Sequence, residues 1–89
     1  MFKLEYTKNA VRDLHRLEKQ TAKRILKKMN FFTKQEDPLS FAKKLTDSSL
    51  GDYRFRVGDY RILFDMDSDG NAQILMILSV KHRREAYLE

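Results

Sequence analysis

No cysteine occurs among the 89 residues. That absence removes a disulfide framework and any thiolate metal site, and it fits a reducing compartment. Histidine is almost as scarce: His15 and His82 are the only two, too few and too far apart for an ordinary zinc site without further acidic ligands. No apolar run approaches the roughly 20 residues needed to span a bilayer, so no membrane partner is expected. The opening Met1-Phe2-Lys3-Leu4-Glu5-Tyr6 alternates and carries an acid, unlike a signal peptide, and the expected location is the cytoplasm. The length allows one small domain, 1–89, with a single modest core. Hydrophobic content of 42%, with six phenylalanines and four tyrosines, supports a folded globule despite 35% charged residues. The net charge of +5 favours polyanionic partners, but a sum says little until its location is known.

Hydropathy periods organise the chain. Phe2, Leu4 and Tyr6 alternate with Lys3 and Glu5, the pattern of a first strand. From about Lys8 the period becomes helical, with Ala10, Leu14 and Leu17 recurring and Val11 widening the stripe. A break is expected near Glu18 to Gln20. A second helix then places Ala22, Ile25, Leu26, Met29 and Phe32 on one side, and Lys19, Lys23, Arg24, Lys27 and Lys28 on the other. The charged side is read as a solvated face. Asp37-Pro38 ends the helical region, because a residue before proline disfavours the α conformation. A connector, Pro38 to Gly51, carries Leu39, Phe41 and Leu45, with Lys43 and Lys44 between them. The almost wholly apolar run Ala72 to Val80 predicts a strand that is covered on both faces or central in its sheet. Strand, two helices and three further strands form an α+β pattern.

The most informative stretch is Asp52 to Asp65. Two alternating runs, Tyr53 to Val57 and Tyr60 to Phe64, flank Gly58-Asp59. Glycine at the first loop position suits a type II′ hairpin turn, which needs φ > 0 there. Alternation puts Tyr53, Phe55, Val57, Tyr60 and Ile62 on one face and Arg54, Arg56 and Arg61 on the other. With Val57 paired to Tyr60, Arg56 stands opposite Arg61. Like charges directly opposite destabilise a sheet, so holding them there points to an anion as ligand.

One segment imitates a metal site. Asp65-Met66-Asp67-Ser68-Asp69-Gly70 matches the opening of an EF-hand calcium loop, but the position that needs a bidentate glutamate is Met76. The segment lies between two strands and reads as a hairpin turn. No metal or other cofactor is expected.

Four separate motifs now carry a family resemblance that covers essentially the whole chain: Phe2-Lys-Leu-Glu-Tyr6 with Ala10-Val-Arg-Asp-Leu14; Asp37-Pro-Leu39 with Lys43-Lys-Leu45; Tyr53-Arg-Phe-Arg-Val-Gly-Asp-Tyr-Arg-Ile62; and His82-Arg-Arg-Glu-Ala-Tyr87. In this order they resemble toxins of the RelE/ParE superfamily from bacterial and archaeal type II toxin–antitoxin systems, in the RelE-like branch. The resemblance implies a RelE-like fold, β-α-α-β-β-β, with a mainly antiparallel four-stranded sheet, two N-terminal helices on one face and a basic concave surface on the other. It implies metal-independent, ribosome-dependent cleavage of mRNA by 2′-OH attack. It also implies neutralisation by an acidic-hydrophobic, RelB-like antitoxin, and contact with operator DNA only through the antitoxin complex.

Residue by residue, Arg61 and Arg83 correspond to family arginines that hold the scissile phosphate, and Tyr87 to a C-terminal tyrosine that stacks on a base or moves a proton. Arg54 and Arg56 align with basic positions that are lysine in some members. Arginine keeps its proton to above about pH 12, so both are assigned to phosphate binding and transition-state charge. His82, whose residue type changes charge near neutrality, and Tyr87 are left as proton-transfer candidates. Lys43, Lys44, Lys81 and Arg84 are expected to meet RNA backbone, where contacts bring salt-dependent affinity and little sequence information. Phe64 departs from the family, which commonly has tyrosine there, but fills a core position equally well. Two other functions fit the same fold: a ParE-like inhibitor of DNA gyrase, and a non-catalytic homologue that acts as a co-regulator with its antitoxin.

Overall fold

The structure, a computed structural model, describes residues 2–86. Strand β1 (Phe2–Tyr6) gives way to helix α1 (Lys8–His15) at Thr7. The Thr7 backbone is extended, and its hydroxyl accepts a hydrogen bond from the Ala10 amide at 3.1 Å, capping the helix. Helix α2 (Lys19–Thr33) follows a break at Arg16 to Glu18, slightly earlier than the periodicity indicates. That helix ends at Thr33, before the expected stop at Asp37-Pro38, and a 3₁₀ turn, Pro38–Phe41, begins at the proline. Then come β2 (Lys43–Lys44), a second 3₁₀ turn (Ser48–Leu50), β3 (Tyr53–Val57), β4 (Tyr60–Asp69), β5 (Ala72–His82) and a short helix α3 (Arg83–Ala86).

The strands form one sheet in the order β1-β5-β4-β3-β2, with β1 parallel to β5 and every other pair antiparallel. The α+β class and the mainly antiparallel sheet stand, but the strand count rises from four to five. The addition is β2, whose two residues are too few for alternation to be visible in sequence. Strand β5 runs between β1 and β4, which accounts for its continuous apolar character.

The core lies between one sheet face and the helices. Ala10 and Leu14 of α1, and Ile25, Met29 and Phe32 of α2, meet Phe55, Val57, Ile62, Phe64, Leu75, Ile77 and Val80. Phe32, Phe55 and Phe64 stack in a column with centroid separations of 4.3 and 4.4 Å, and Tyr53 continues it at 5.7 Å from Phe64. Phe64 is fully buried, as its sequence context requires. Val11 and Leu26 fall at the margins of their stripes and stay exposed at 40% and 38%.

Both predicted hairpin features are present. Val57 pairs with Tyr60 and Arg56 with Arg61. Gly58 has φ 59 and, among the described residues, no non-glycine has positive φ, so Asp59 does not, the combination of a II′ turn. The acidic segment differs in detail from a simple turn: Asp65 to Asp69 belong to β4, and only Gly70-Asn71 make the turn into β5.

One irregularity controls the rest of the sheet. Leu63 pairs with Ser79, yet Phe64 pairs with Ile77, so Leu78 is an extra residue in β5. Carbonyls of successive residues in a regular strand point to opposite edges, but here those of Ile77 and Leu78 both face the edge on which β1 has ended. The start of α1 takes the place of the missing strand. The Thr7 amide donates to Ile77 O at 3.0 Å, and the Thr7 hydroxyl and the Asn9 side-chain amide both donate to Leu78 O at 3.1 Å. The Asp13 carboxylate accepts from the Val80 amide at 2.9 Å.

Asp13→Ala leaves the Val80 N–H without that acceptor in a buried setting, and is expected to cost about 1–3 kcal/mol. Asp13→Asn, which keeps an acceptor oxygen, should cost less; urea denaturation midpoints measure both. Gly58→Ala should cost about 1–2 kcal/mol through its left-handed backbone, with Gly58→Asn intermediate by the same assay. A Cβ at Gly58 would also meet the Arg24 guanidinium, but that is the movable end of a flexible side chain.

Candidate nucleic-acid interface

Residues directly paired across strands project to the same face, so the register defines the surface opposite the helices. Arg56 of β3, Arg61 of β4 and Lys81 of β5 form one continuous row of cations. Next to it runs a second row: Lys43 of β2, Arg54 of β3, Leu63 of β4 and Ser79 of β5. Five basic side chains therefore share one end of this face, and α1 and α2 pack on the other side. Since Val57 and Tyr60 close a two-residue hairpin, Arg56 and Arg61 form the closely spaced non-hydrogen-bonded kind of pair, with Cα atoms about 4.5 Å apart. Arg54, Arg61 and Lys81 are half-buried, and Arg56 is exposed.

Such a row attracts an anion with several negative oxygens. Planar guanidinium forks can hold two phosphate oxygens each, while a lysine ammonium acts as a point charge. The patch has a definite limit: farther along β4, Asp65, Asp67 and Asp69 occupy the same face. The Asp65 carboxylate is also structural, accepting from the Asp52 amide at 2.9 Å. Positive charge is thus gathered at the hairpin end of the face and negative charge at the opposite end.

The tail meets the hairpin through a residue that carries no functional signal in the sequence. The Arg83 amide donates to the Asp59 carbonyl at 2.7 Å, and Arg83 Nε lies 3.9 Å from Asp59 Oδ1, in an exposed ion pair. These contacts bring Arg83 to the turn between β3 and β4, beside the cation row. Arg84 is exposed on α3. Lys44 pairs with Tyr53 and so projects to the face opposite Lys43. His82 is also separated from the row: it pairs with Tyr60 on the helix side, and the two rings meet edge to face at 5.3 Å. The extra residue Leu78 is the reason, since it puts Lys81 on the arginine side and His82 on the other. Tyr87 lies outside the described residues.

The net charge itself is concentrated elsewhere. Residues 8–33 hold eight lysines and arginines against two acids, so the helical layer alone exceeds the +5 of the whole chain. The cations of α2 are exposed. What distinguishes the sheet face is the alignment of its cations across three strands.

Because Arg56 faces Arg61, Arg56→Thr should stabilise the fold by a few tenths of a kcal/mol up to about 1 kcal/mol. The same substitution should weaken binding to single-stranded RNA and lower the slope of log affinity against log salt by about 0.7. Denaturation and fluorescence-anisotropy titrations at several salt concentrations check the two effects together.

A family model described as the ParE toxin of the type II toxin–antitoxin system parDE matches residues 4–87. Toxin RelG of Mycobacterium tuberculosis (strain ATCC 25618 / H37Rv) is 29% identical over 86 residues, spanning 97% of this chain and 95% of RelG. Among solved structures, the toxin–antitoxin complex RelBE2 from Mycobacterium tuberculosis superposes with a TM-score of 0.72 at 28% identity, covering 91% of this chain and 96% of that one. The archaeal RelE–RelB complex from Pyrococcus horikoshii OT3 gives 0.66 at 27% identity, with coverages of 92% and 94%. The RelB–RelE complex from Methanococcus jannaschii gives 0.56 at 27%, with 92% and 93%. The chain belongs to the RelE/ParE superfamily and is a toxin of the type II toxin–antitoxin class.

Proposed function

We propose that this toxin is a ribosome-dependent mRNA endoribonuclease that needs no metal. The observation that carries the reading is the row Arg56, Arg61 and Lys81, flanked by Arg54 and Lys43, on a sheet face left uncovered by α1 and α2. Cleavage begins when a 2′-oxygen loses its proton and attacks the adjacent phosphorus. Negative charge then builds on the phosphorane oxygens, and the bond to the 5′-oxygen breaks as that oxygen gains a proton. The products are a 2′,3′-cyclic phosphate and a 5′-hydroxyl.

Preorganised cations serve the middle stage, where the developing charge is greatest. Arg61 and Arg83 hold the scissile phosphate, with Arg54 and Arg56 on the neighbouring oxygens. Lys43, Lys44, Lys81 and Arg84 contact RNA backbone of the message or the ribosome. None of the arginines is suited to accept a proton, so Tyr87 is the proton-transfer group in this reading. The His82 ring, turned toward α1, has a different role that is developed below. A RelB-like antitoxin is the proposed inhibitory partner: each of the three structural neighbours above was solved as a toxin–antitoxin complex.

A second reading, inhibition of DNA gyrase, is favoured by one specific observation: the matching family model bears the ParE description, whereas the similar relatives bear RelE-type names. A third, a non-catalytic co-regulator, needs only the fold and an antitoxin to bind it.

Induction from a tightly repressed promoter, followed by primer extension on cellular mRNA, separates the three. Breaks at fixed codon positions with 5′-hydroxyl ends are expected. Intact mRNA with SOS induction would instead identify the gyrase inhibitor, and neither response would identify the co-regulator. With purified ribosomes and defined mRNA, Arg61→Gln should lower the cleavage rate on the order of 10² to 10³, the scale of losing one transition-state donor. A change below tenfold would remove Arg61 from the phosphate site.

A further inference from the structure

The junction of β5 and α3 contains a reciprocal pair of hydrogen bonds. His82 Nδ1 accepts from the Arg84 amide at 3.2 Å, and Glu85 Oε1 accepts from the His82 amide at 3.1 Å. This is the arrangement of a capping box, with histidine at the position where serine or threonine usually stands. The substitution has a chemical consequence. A hydroxyl accepts at any ordinary pH, but a histidine nitrogen accepts only while it carries no proton. Neutral His82 must therefore hold its proton on Nε2 to make this cap. Protonated His82 presents an Nδ1–H to the Arg84 N–H, donor against donor, and the bond is lost.

The capped helix bears Arg83, which is fixed to the Asp59 carbonyl and carboxylate beside the cation row. We infer that His82 is a positioning residue, a proton-sensitive clasp: neutral, it caps α3 and holds Arg83 against the β3–β4 turn; protonated, it releases both. The bonds of the clasp stand independently of the cleavage reading, and only its effect on rate rests on that reading.

The ring sits where α1, β4, β5 and α3 come together. His82 lines a cavity of about 90 Å³ with Asp13 of α1, Arg16 and Leu17 just after it, Tyr60 of β4, Val80 of β5 and Glu85 of α3. The charged groups facing it are thus Asp13 of α1, Arg16 at the end of that helix, and Glu85 of α3. Asp13 is already engaged by the Val80 amide and Glu85 by the His82 amide.

The test follows the Arg84 amide by NMR and hydrogen exchange in the full-length chain between pH 8 and pH 5.5. At pH 8 the His82 ring should be the Nε2–H tautomer. On acidification the Arg84 amide shift should move with the ring titration, and its exchange, corrected for the intrinsic pH dependence, should rise roughly fivefold or more, the scale of losing one cap. His82→Asn, a good cap that does not titrate, should keep Arg84 protected at both pH values, and His82→Ala should leave it unprotected at both. In ribosome-programmed cleavage, wild type should lose activity across the His82 titration. His82→Asn should recover the lost activity at low pH, and His82→Ala should be slow throughout. An Nδ1–H tautomer at pH 8, or an Arg84 amide that ignores the ring titration, overturns the clasp. So does a His82→Asn variant that protects Arg84 yet cleaves as poorly as His82→Ala, because the ring would then act in the chemistry. If the wild-type chain cleaves no RNA at any pH, the cleavage reading falls and the NMR results alone decide the clasp.

Discussion

The extra residue Leu78 in β5 is the constraint on which the functional face depends. Before it, Leu75 and Ile77 point into the core; after it, Val80 does, so the parity of the strand has changed. Had the strand stayed regular, Ser79 and Lys81 would face the helices, and His82 would lie on the face of the arginines. A bulge with nothing to satisfy its displaced carbonyls would be costly, since buried backbone groups lose their solvent partners. Thr7, Asn9 and Asp13 remove that cost by bonding the backbone of residues 77, 78 and 80 from the N-cap and body of α1. The first helix is therefore an anchor for the distant end of the last strand, and through that strand it sets which cation completes the row.

The charge row also has to be tolerated by the sheet that displays it. Arg56 opposite Arg61 opposes pairing by a few tenths of a kcal/mol up to about 1 kcal/mol. Directly behind these strands, Phe55 and Phe64 stack with Phe32, and each is buried. Full burial of one such side chain contributes about 1.5–3 kcal/mol, so the column outweighs the repulsion. One face of β3 and β4 supplies adhesion, and the other is free to carry a destabilising pattern that suits a polyanion. Gly58 serves both by setting the turn that fixes the register.

Where the sequence was legible, the signal was local. The hairpin could be read to the level of individual pairs because a two-residue turn with glycine leaves one register, and alternation then assigns each face. The change of period at Lys8 marked the start of α1, whereas α2 ends at Thr33, ahead of the Asp37-Pro38 stop. The bulge could not be read in this way: Ile74 to Leu78 is apolar throughout, so no alternation shows where parity changes. His82 and Lys81 were accordingly indistinguishable as members of the basic tail, and only three-dimensional register separates them. Asp59 was hidden for a different reason, since its contact with Arg83 spans 24 positions and involves a carbonyl that every residue possesses. Lys43 and Lys44 looked equivalent until the two-residue strand β2 sent them to opposite faces.

Two cationic surfaces compete to explain the basic character of this toxin: the aligned row on the sheet and the larger solvated charge of the helical layer. Chemical-shift mapping with a short, non-cleavable 2′-O-methyl RNA decides between them most directly. Perturbations are expected to centre on residues 54, 56, 61, 81 and 83, fading toward Asp67 and Asp69, with α2 largely unmoved. Perturbations centred on Lys19, Lys23 and Lys27 instead would contradict this, and would move the nucleic-acid surface to the opposite side of the molecule.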